Sequence, residues 1–277
     1  MKSDPSEKEQ VVEKEQVPLE PVDVDKRVVG ETDMVRVTVP MGVFMAMVPM
    51  TFYEGDIPPR REVILQDFEI DRLEVTVAEW RLCEKAGVCK EARSGEFGIR
   101  PEDRCNAYLG EKENHPVNCV SWEMAKGYCA WQNKRLPSAG EWEFAAFGGD
   151  GRKYPWGDDK PENGRGCYQP SIDPCYEYED YKDNCEQALP DDCCHNRRRT
   201  CRVGSYPDGA SPFGALDMYG NLWEWTSDRP GELSGKPRET TYVAVAGGST
   251  QDAGITNPFY TMEESGHYLA VGFRCAR

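Results

Sequence analysis

The chain has 277 residues, enough for one large or two ordinary domains with a sizeable core, and 49 acidic against 33 basic residues leave it at −16. That charge repels phosphate backbones and anionic membrane surfaces, which excludes nucleic acid as a partner class. Hydrophobic residues make up only 39% of the sequence, and 26 Gly with 20 Pro predict a loop-rich fold.

Met1 to Asp33 contains no aromatic residue and mixes Glu, Lys, Asp, Val and Pro without helical or strand period, so residues 1–33 read as a disordered charged tail or linker. Its self-repulsion suits a spacer, and a processing remnant without a role fits the same residues. Nothing in it has the form of a signal peptide, and no apolar run approaches membrane-spanning length. Either a signal has been removed or the start lies inside a longer precursor.

A single folded domain is expected over residues 34–277. Val35-Arg36-Val37-Thr38-Val39-Pro40 alternates like a strand, and an apolar run follows from Met41 to Met50. Glu62 to Ile70 alternates again, with Val63, Leu65 and Phe68 inward around an irregularity at Asp67. Thr76 and Glu79 form a capping box for a helix that should reach Ala86 and stop at Gly87. Ser121 caps a second helix with Trp122, Ala125, Cys129 and Gln132 on one face, and Ser138 with Glu141 opens a third carrying Trp142, Phe144 and Ala145.

Twelve cysteines against three histidines point to disulfides in an oxidising compartment rather than to zinc. Cys83 and Cys89 bracket the first helix end, where a local bridge is predicted. Tyr154-Pro155-Trp156-Gly157-Asp158 is a turn, and it opens a Cys-rich insertion of about residues 158–201. That insertion holds Cys167, Cys175, Cys185, Cys193, Cys194 and Cys201 with too little apolar company for a core, so three internal pairs are expected. Cys193-Cys194-His195 lacks regular zinc spacing. The acidic run Tyr176 to Tyr181 reads as a solvated loop, with Arg197-Arg198-Arg199 as its partner.

In Leu216 to Asp228, Trp223 and Trp225 are two apart and share one face of a strand. Gly220-Asn221 suits a turn of positive φ, and Asp217 and Glu224 flank it with hard oxygen ligands. Two readings stay open on these residues: a turn feeding a buried strand, and a calcium site. Thr241 to Ala246 is strand-like, and Val271 to Cys275 forms a terminal strand that leaves room for one domain only.

His115-Pro116-Val117 with Ser121-Trp122, Lys134 to Ser138 with Glu141-Trp142-Glu143, Tyr154-Pro155-Trp156-Gly157, Gly220 to Trp225, Gly247-Gly248-Ser249 and Gly272-Phe273-Arg274-Cys275 together resemble the formylglycine-generating enzyme, or sulfatase-modifying factor, family over Met34 to Arg277. The resemblance implies an α+β, C-type-lectin-like fold, loop-rich, with small antiparallel sheets and short helices, stapled by disulfides. It implies calcium held by the side chains of Asp217 and Glu224 and the carbonyls of Gly220 and Leu222. Cys167 stands where a second family calcium site has Asn, so that second site is not expected. The resemblance also pairs Cys129 with Cys275.

The active family member converts a sulfatase cysteine in a Cys-x-Pro-x-Arg setting to formylglycine with copper and oxygen. Its copper thiolates lie three and eight residues after the Ser of Gly-Gly-Ser, which here are Asp252 and Asn257, and Ala246 replaces the Arg before Gly-Gly. Carboxylate and amide oxygens bind soft Cu(I) poorly, so copper is not expected and no catalytic residue is assigned. The iron-dependent relative in ergothioneine assembly draws its histidines from an additional helical domain, for which there is no counterpart in this sequence. The expectation is therefore a non-catalytic, extracytoplasmic binding or accessory module, periplasmic, secreted or envelope-tethered, whose partner is an envelope protein or glycan. The alternative is a copper- and oxygen-dependent oxidase of sulfatase cysteine with metal ligands from elsewhere in the chain, for example the Cys-rich insertion, and a third reading is a structural subunit assembling through that insertion. Oligomeric state is not set by the sequence.

Overall fold

The computed structural model of the chain describes residues 33–40, 43–47, 60–93, 105–161, 165–168, 200–229, 241–249 and 258–277. Residues 1–32 of the expected tail, the acidic run, Cys193-Cys194-His195 and Arg197 to Arg199 lie outside the described residues.

Among the described residues the strands are β1 (Met34–Val37), β2 (Phe44–Met47), β3 (Arg60–Val63), β4 (Phe68–Asp71), β5 (Trp223–Trp225), β6 (Tyr242–Ala246), β7 (Phe259–Glu263) and β8 (Val271–Gly272). The helices are α1 (Val77–Lys85), α2 (Trp122–Trp131) and α3 (Ala139–Phe147). β1 pairs antiparallel with β4 and β2 with β3, while the last four strands make one sheet in the order β7-β6-β5-β8. In that sheet β5 and β8 run parallel, with Trp223 opposite Val271. The fold is mixed α+β, with small sheets and short helices.

Both capping boxes form: the Thr76 and Ser138 hydroxyls accept from the backbone of Glu79 and Glu141, whose carboxylates accept from the cap N–H in return. The alternating run Glu62 to Ile70 is divided between β3 and β4, which belong to different sheets. The break is held at Asp67, whose Oδ1 accepts the Val39 N–H at 2.9 Å. β7, unannounced in the sequence reading, buries Phe259 and Thr261 and exposes Tyr260.

Two buried clusters fill the interior. Trp80, Tyr128, Trp225 and Phe273 centre the first, beneath α1 and α2, and Trp142, Phe144, Phe68 and Ile70 the second, between α3 and the β1–β4 pair. On α2 the expected face is buried at Trp122, Ala125 and Cys129, Tyr128 joins it, and Gln132 falls at the half-exposed C-cap.

Disulfides join Cys83 to Cys89 and Cys129 to Cys275, and two further bonds, Cys105–Cys119 and Cys167–Cys201, were not fixed by the sequence reading. Cys175, Cys185, Cys193 and Cys194 lie outside the described residues. No helix among the described residues is long and apolar enough to cross a membrane.

Candidate functional site

Asp217, Gly220 and Asn221 turn the chain with positive φ of 58°, 93° and 61°. Glycine is required at 220, because a Cβ there would lie 2.4 Å from the Cys167 carbonyl oxygen. The same carbonyl accepts the Asn221 N–H at 2.7 Å, and Asn221 Oδ1 accepts the Cys201 N–H at 3.0 Å. The bridged neck of the insertion is thereby docked on this turn.

Behind the turn lies a buried charge network. Arg274, with no exposed surface, donates Nη2 and Nε to the two oxygens of Glu224, both at 2.7 Å, and the Trp142 indole N–H reaches Glu224 Oε2 at 2.9 Å. The guanidinium also donates to the carbonyls of Asp71, Arg72 and Leu216. Glu74, equally buried, accepts from Leu222 N–H at 3.2 Å and from the Asn221 side chain, and Asp217 Oδ2 accepts from Gly204 N–H at 2.6 Å. Burial first, then the like charges of Asp217 and Glu224, hold the Glu74 carboxyl well above the usual range, against the opposing pull of Arg274 and Asn221.

Three carboxylates thus face one guanidinium. The Gly220 and Leu222 carbonyls are reached by no donor among the described residues. Asp217 Oδ2 is taken by Gly204 N–H and both Glu224 oxygens by Arg274, while the Gly220 and Leu222 carbonyls lie in the turn between these two acids. Among the described residues no group of three or more His, Cys, Asp or Glu is placed to hold a metal ion.

A cleft of about 670 Å³ opens on the other side of α3, between β2, Arg60, the loop after α3, Tyr219, Gly247 and Pro258. Gly247 and Pro258 bracket the undescribed stretch containing Asp252 and Asn257, so those two positions enter no geometry below. Ala246 is fully buried in β6 opposite Glu224 and Phe259.

Glu143 forms the cleft floor, only 2% exposed, with Oε2 accepting the Met47 N–H at 2.7 Å and Oε1 3.4 Å from Arg60. This carboxylate ties β2 and β3 to α3. Burial pushes its pKa from the ordinary 4.5 up to about 7, although Met47 and Arg60 pull the other way. The native state therefore binds the extra proton between those values, so this group's contribution to stability is full below pH 4.5 and is lost as pH rises through 7. Glu143→Gln is expected to match the wild type at pH 4.5 and to exceed it by roughly 3 kcal/mol at pH 8 in urea unfolding. An advantage independent of pH would contradict the assignment.

The sulfatase-modifying factor enzyme 1-like domain matches residues 23–277. The chain belongs to this family. A Bos taurus relative named inactive C-alpha-formylglycine-generating enzyme 2 is 32% identical over 173 residues, covering 61% of this chain and 52% of that protein. The formylglycine-generating enzyme of Streptomyces coelicolor is 37% identical over 134 residues, covering 47% of this chain and 37% of the relative. The chain spans about half the length of the curated relatives it matches. Among solved structures, PvdO from Pseudomonas aeruginosa superposes with a TM-score of 0.62 at 21% identity, over 90% of this chain and 95% of that one. Sulfatase-modifying factor relatives named as active and as inactive both match, so family membership alone does not choose between activities.

Glu74, Arg274 and Glu143 carry the site's electrostatics, yet none was assigned a role from the sequence. Arg274 lies in the Gly272 to Cys275 family block, and a charged residue within that apolar terminal stretch was the signal to pursue.

Proposed function

We propose that this chain is a non-catalytic recognition module of the sulfatase-modifying factor family, acting in an oxidising, extracytoplasmic compartment on an envelope component. Two things support the reading: the family resemblance assigns Asp252 and Asn257 to the copper-thiolate positions, and every cysteine among the described residues is disulfide-bonded. Copper(I) needs soft ligands, and on that assignment the side chains offered are a carboxylate and an amide. The four disulfides support the compartment, since such bonds persist where thiols are not kept reduced. The test is to supply Cu(I) and a Cys-x-Pro-x-Arg peptide and to follow peptide mass and dissolved oxygen. An unchanged peptide with no oxygen uptake is expected, and formation of the aldehyde would overturn the reading in favour of the oxidase.

Calcium in a structural role belongs to the same proposal, held by Asp217, Glu224 and the carbonyls of Gly220 and Leu222. Its support is the excess of buried carboxylates over guanidinium around Glu74. Bound calcium supplies positive charge to that spot. At a free concentration 100 to 1,000 times Kd, a cation contributes about 3–4 kcal/mol to the folded state. Chelation is then expected to lower the melting temperature by roughly 5–15 °C, reversibly on adding calcium back. An unchanged melting curve after chelation would remove calcium and leave the tryptophan anchor.

A further inference from the structure

The cleft over Glu143 has a charge that contrasts with the rest of the molecule. In a chain of net charge −16, its charged lining consists of Arg60, Arg152 and Lys153 against the single acid Glu143. Arg152 is already occupied: Nε and Nη2 clamp Asp150 at 3.0 and 2.7 Å, and Nη1 donates to the Pro155 carbonyl. Arg60 is shared between the Met45 carbonyl and Glu143. The Lys153 ammonium, in contrast, has no anionic partner among the described residues.

Beside Lys153 the loop after α3 reads Gly148-Gly149-Asp150-Gly151, with Gly148 and Gly151 at positive φ of 64° and 82°. No acceptor among the described residues takes the N–H of Gly149 or Gly151, and a Cβ at Gly151 would meet nothing within 4 Å. Backbone amides in such a turn, next to a lysine, make a concavity that favours an oxyanion. The remaining wall is apolar and partly uncovered: Val43 is 54% and Met45 44% exposed, and Phe147 and Tyr219 close the cleft. At about 670 Å³ the space matches a small organic ligand.

We infer that this cleft binds a small amphipathic organic anion, its apolar body against Val43, Met45 and Phe147 and its oxyanion at Lys153 and the glycine loop. The inference deepens the recognition reading and rests on it. No reaction is involved, so the ligand leaves unchanged.

The probe is anilinonaphthalene sulfonate, whose fluorescence on the intact chain is displaced by 4-phenylbutyrate, by its neutral amide 4-phenylbutanamide, or by inorganic sulfate. The carboxylate is expected to displace the dye at about one-tenth the concentration of the amide. Sulfate alone should fail at the concentration that suffices for the carboxylate. Lys153→Gln should weaken the carboxylate about ten-fold and leave the amide unchanged. Val43→Asp, at an exposed rim position, should weaken the carboxylate by adding like charge, whereas Lys126→Gln, outside the cleft, should do nothing. Equal potency of carboxylate and amide, or indifference to both cleft variants, would overturn the inference. Those outcomes leave the recognition reading standing, which falls only if the copper-loaded protein oxidises the cysteine peptide.

Discussion

Arg274→Met is expected to cost about 5 kcal/mol or more, enough to leave much of the population unfolded at 37 °C. The guanidinium has no exposed surface and is the cation for Glu224, while donating to three backbone carbonyls. Methionine fills comparable volume but strands the Glu224 carboxylate and three carbonyls without donors. The Glu74 carboxyl, already raised by burial and its acidic neighbours, would also lose its opposing cation. Urea unfolding measures the loss, and Arg274→Met with Glu224→Gln should lose less than the sum of the singles, because the second change removes the stranded charge. A single variant within 1 kcal/mol of wild type would show that the network is not holding the core.

Removing Cys129–Cys275 by paired alanine substitutions should destabilise the chain by about 5 kcal/mol, against about 2 kcal/mol for Cys83–Cys89. The difference follows from sequence separation, 146 residues in one case and 6 in the other, because a longer closed loop restricts the unfolded ensemble more. Denaturant midpoints of the two variants under oxidising conditions decide it. Equal losses would point to native-state packing as the larger contribution.

The features that could be read from the sequence were local or carried by an ordered set of motifs. Thr76 with Glu79, and Ser138 with Glu141, announce helix starts because the partners lie three residues apart and nothing distant decides them. Gly220-Asn221 announced a turn because few residues tolerate positive φ. Cys129–Cys275 came from the family resemblance. Glu143 shows where reading stops: it sits between Trp142 and Phe144 on a helix like any surface glutamate, and only β2 and β3, arriving from 96 and 83 residues away, bury it. Glu74 is hidden for the same reason, since its partners Asn221 and Leu222 lie 147 and 148 residues downstream. β7 was a different case. The pattern of buried Phe259, exposed Tyr260 and buried Thr261 is a strand's alternation following the Asn257-Pro258 turn signal, but it is too short to stand out by period alone. The cleft draws on six separated segments, so no single window of sequence contains it.

Arg274 and Cys275 are synthesised long after the groups they complete, Cys275 following Cys129 by 146 residues and Asp71 by 204. Until they arrive, the acidic centre lacks its guanidinium and Cys129 lacks the thiol it pairs with. High sequence separation of this kind slows folding, and early oxidation favours wrong pairings that must then be exchanged. Productive folding thus depends on when oxidant acts: refolding in a glutathione redox buffer that permits exchange should outyield rapid oxidation by air.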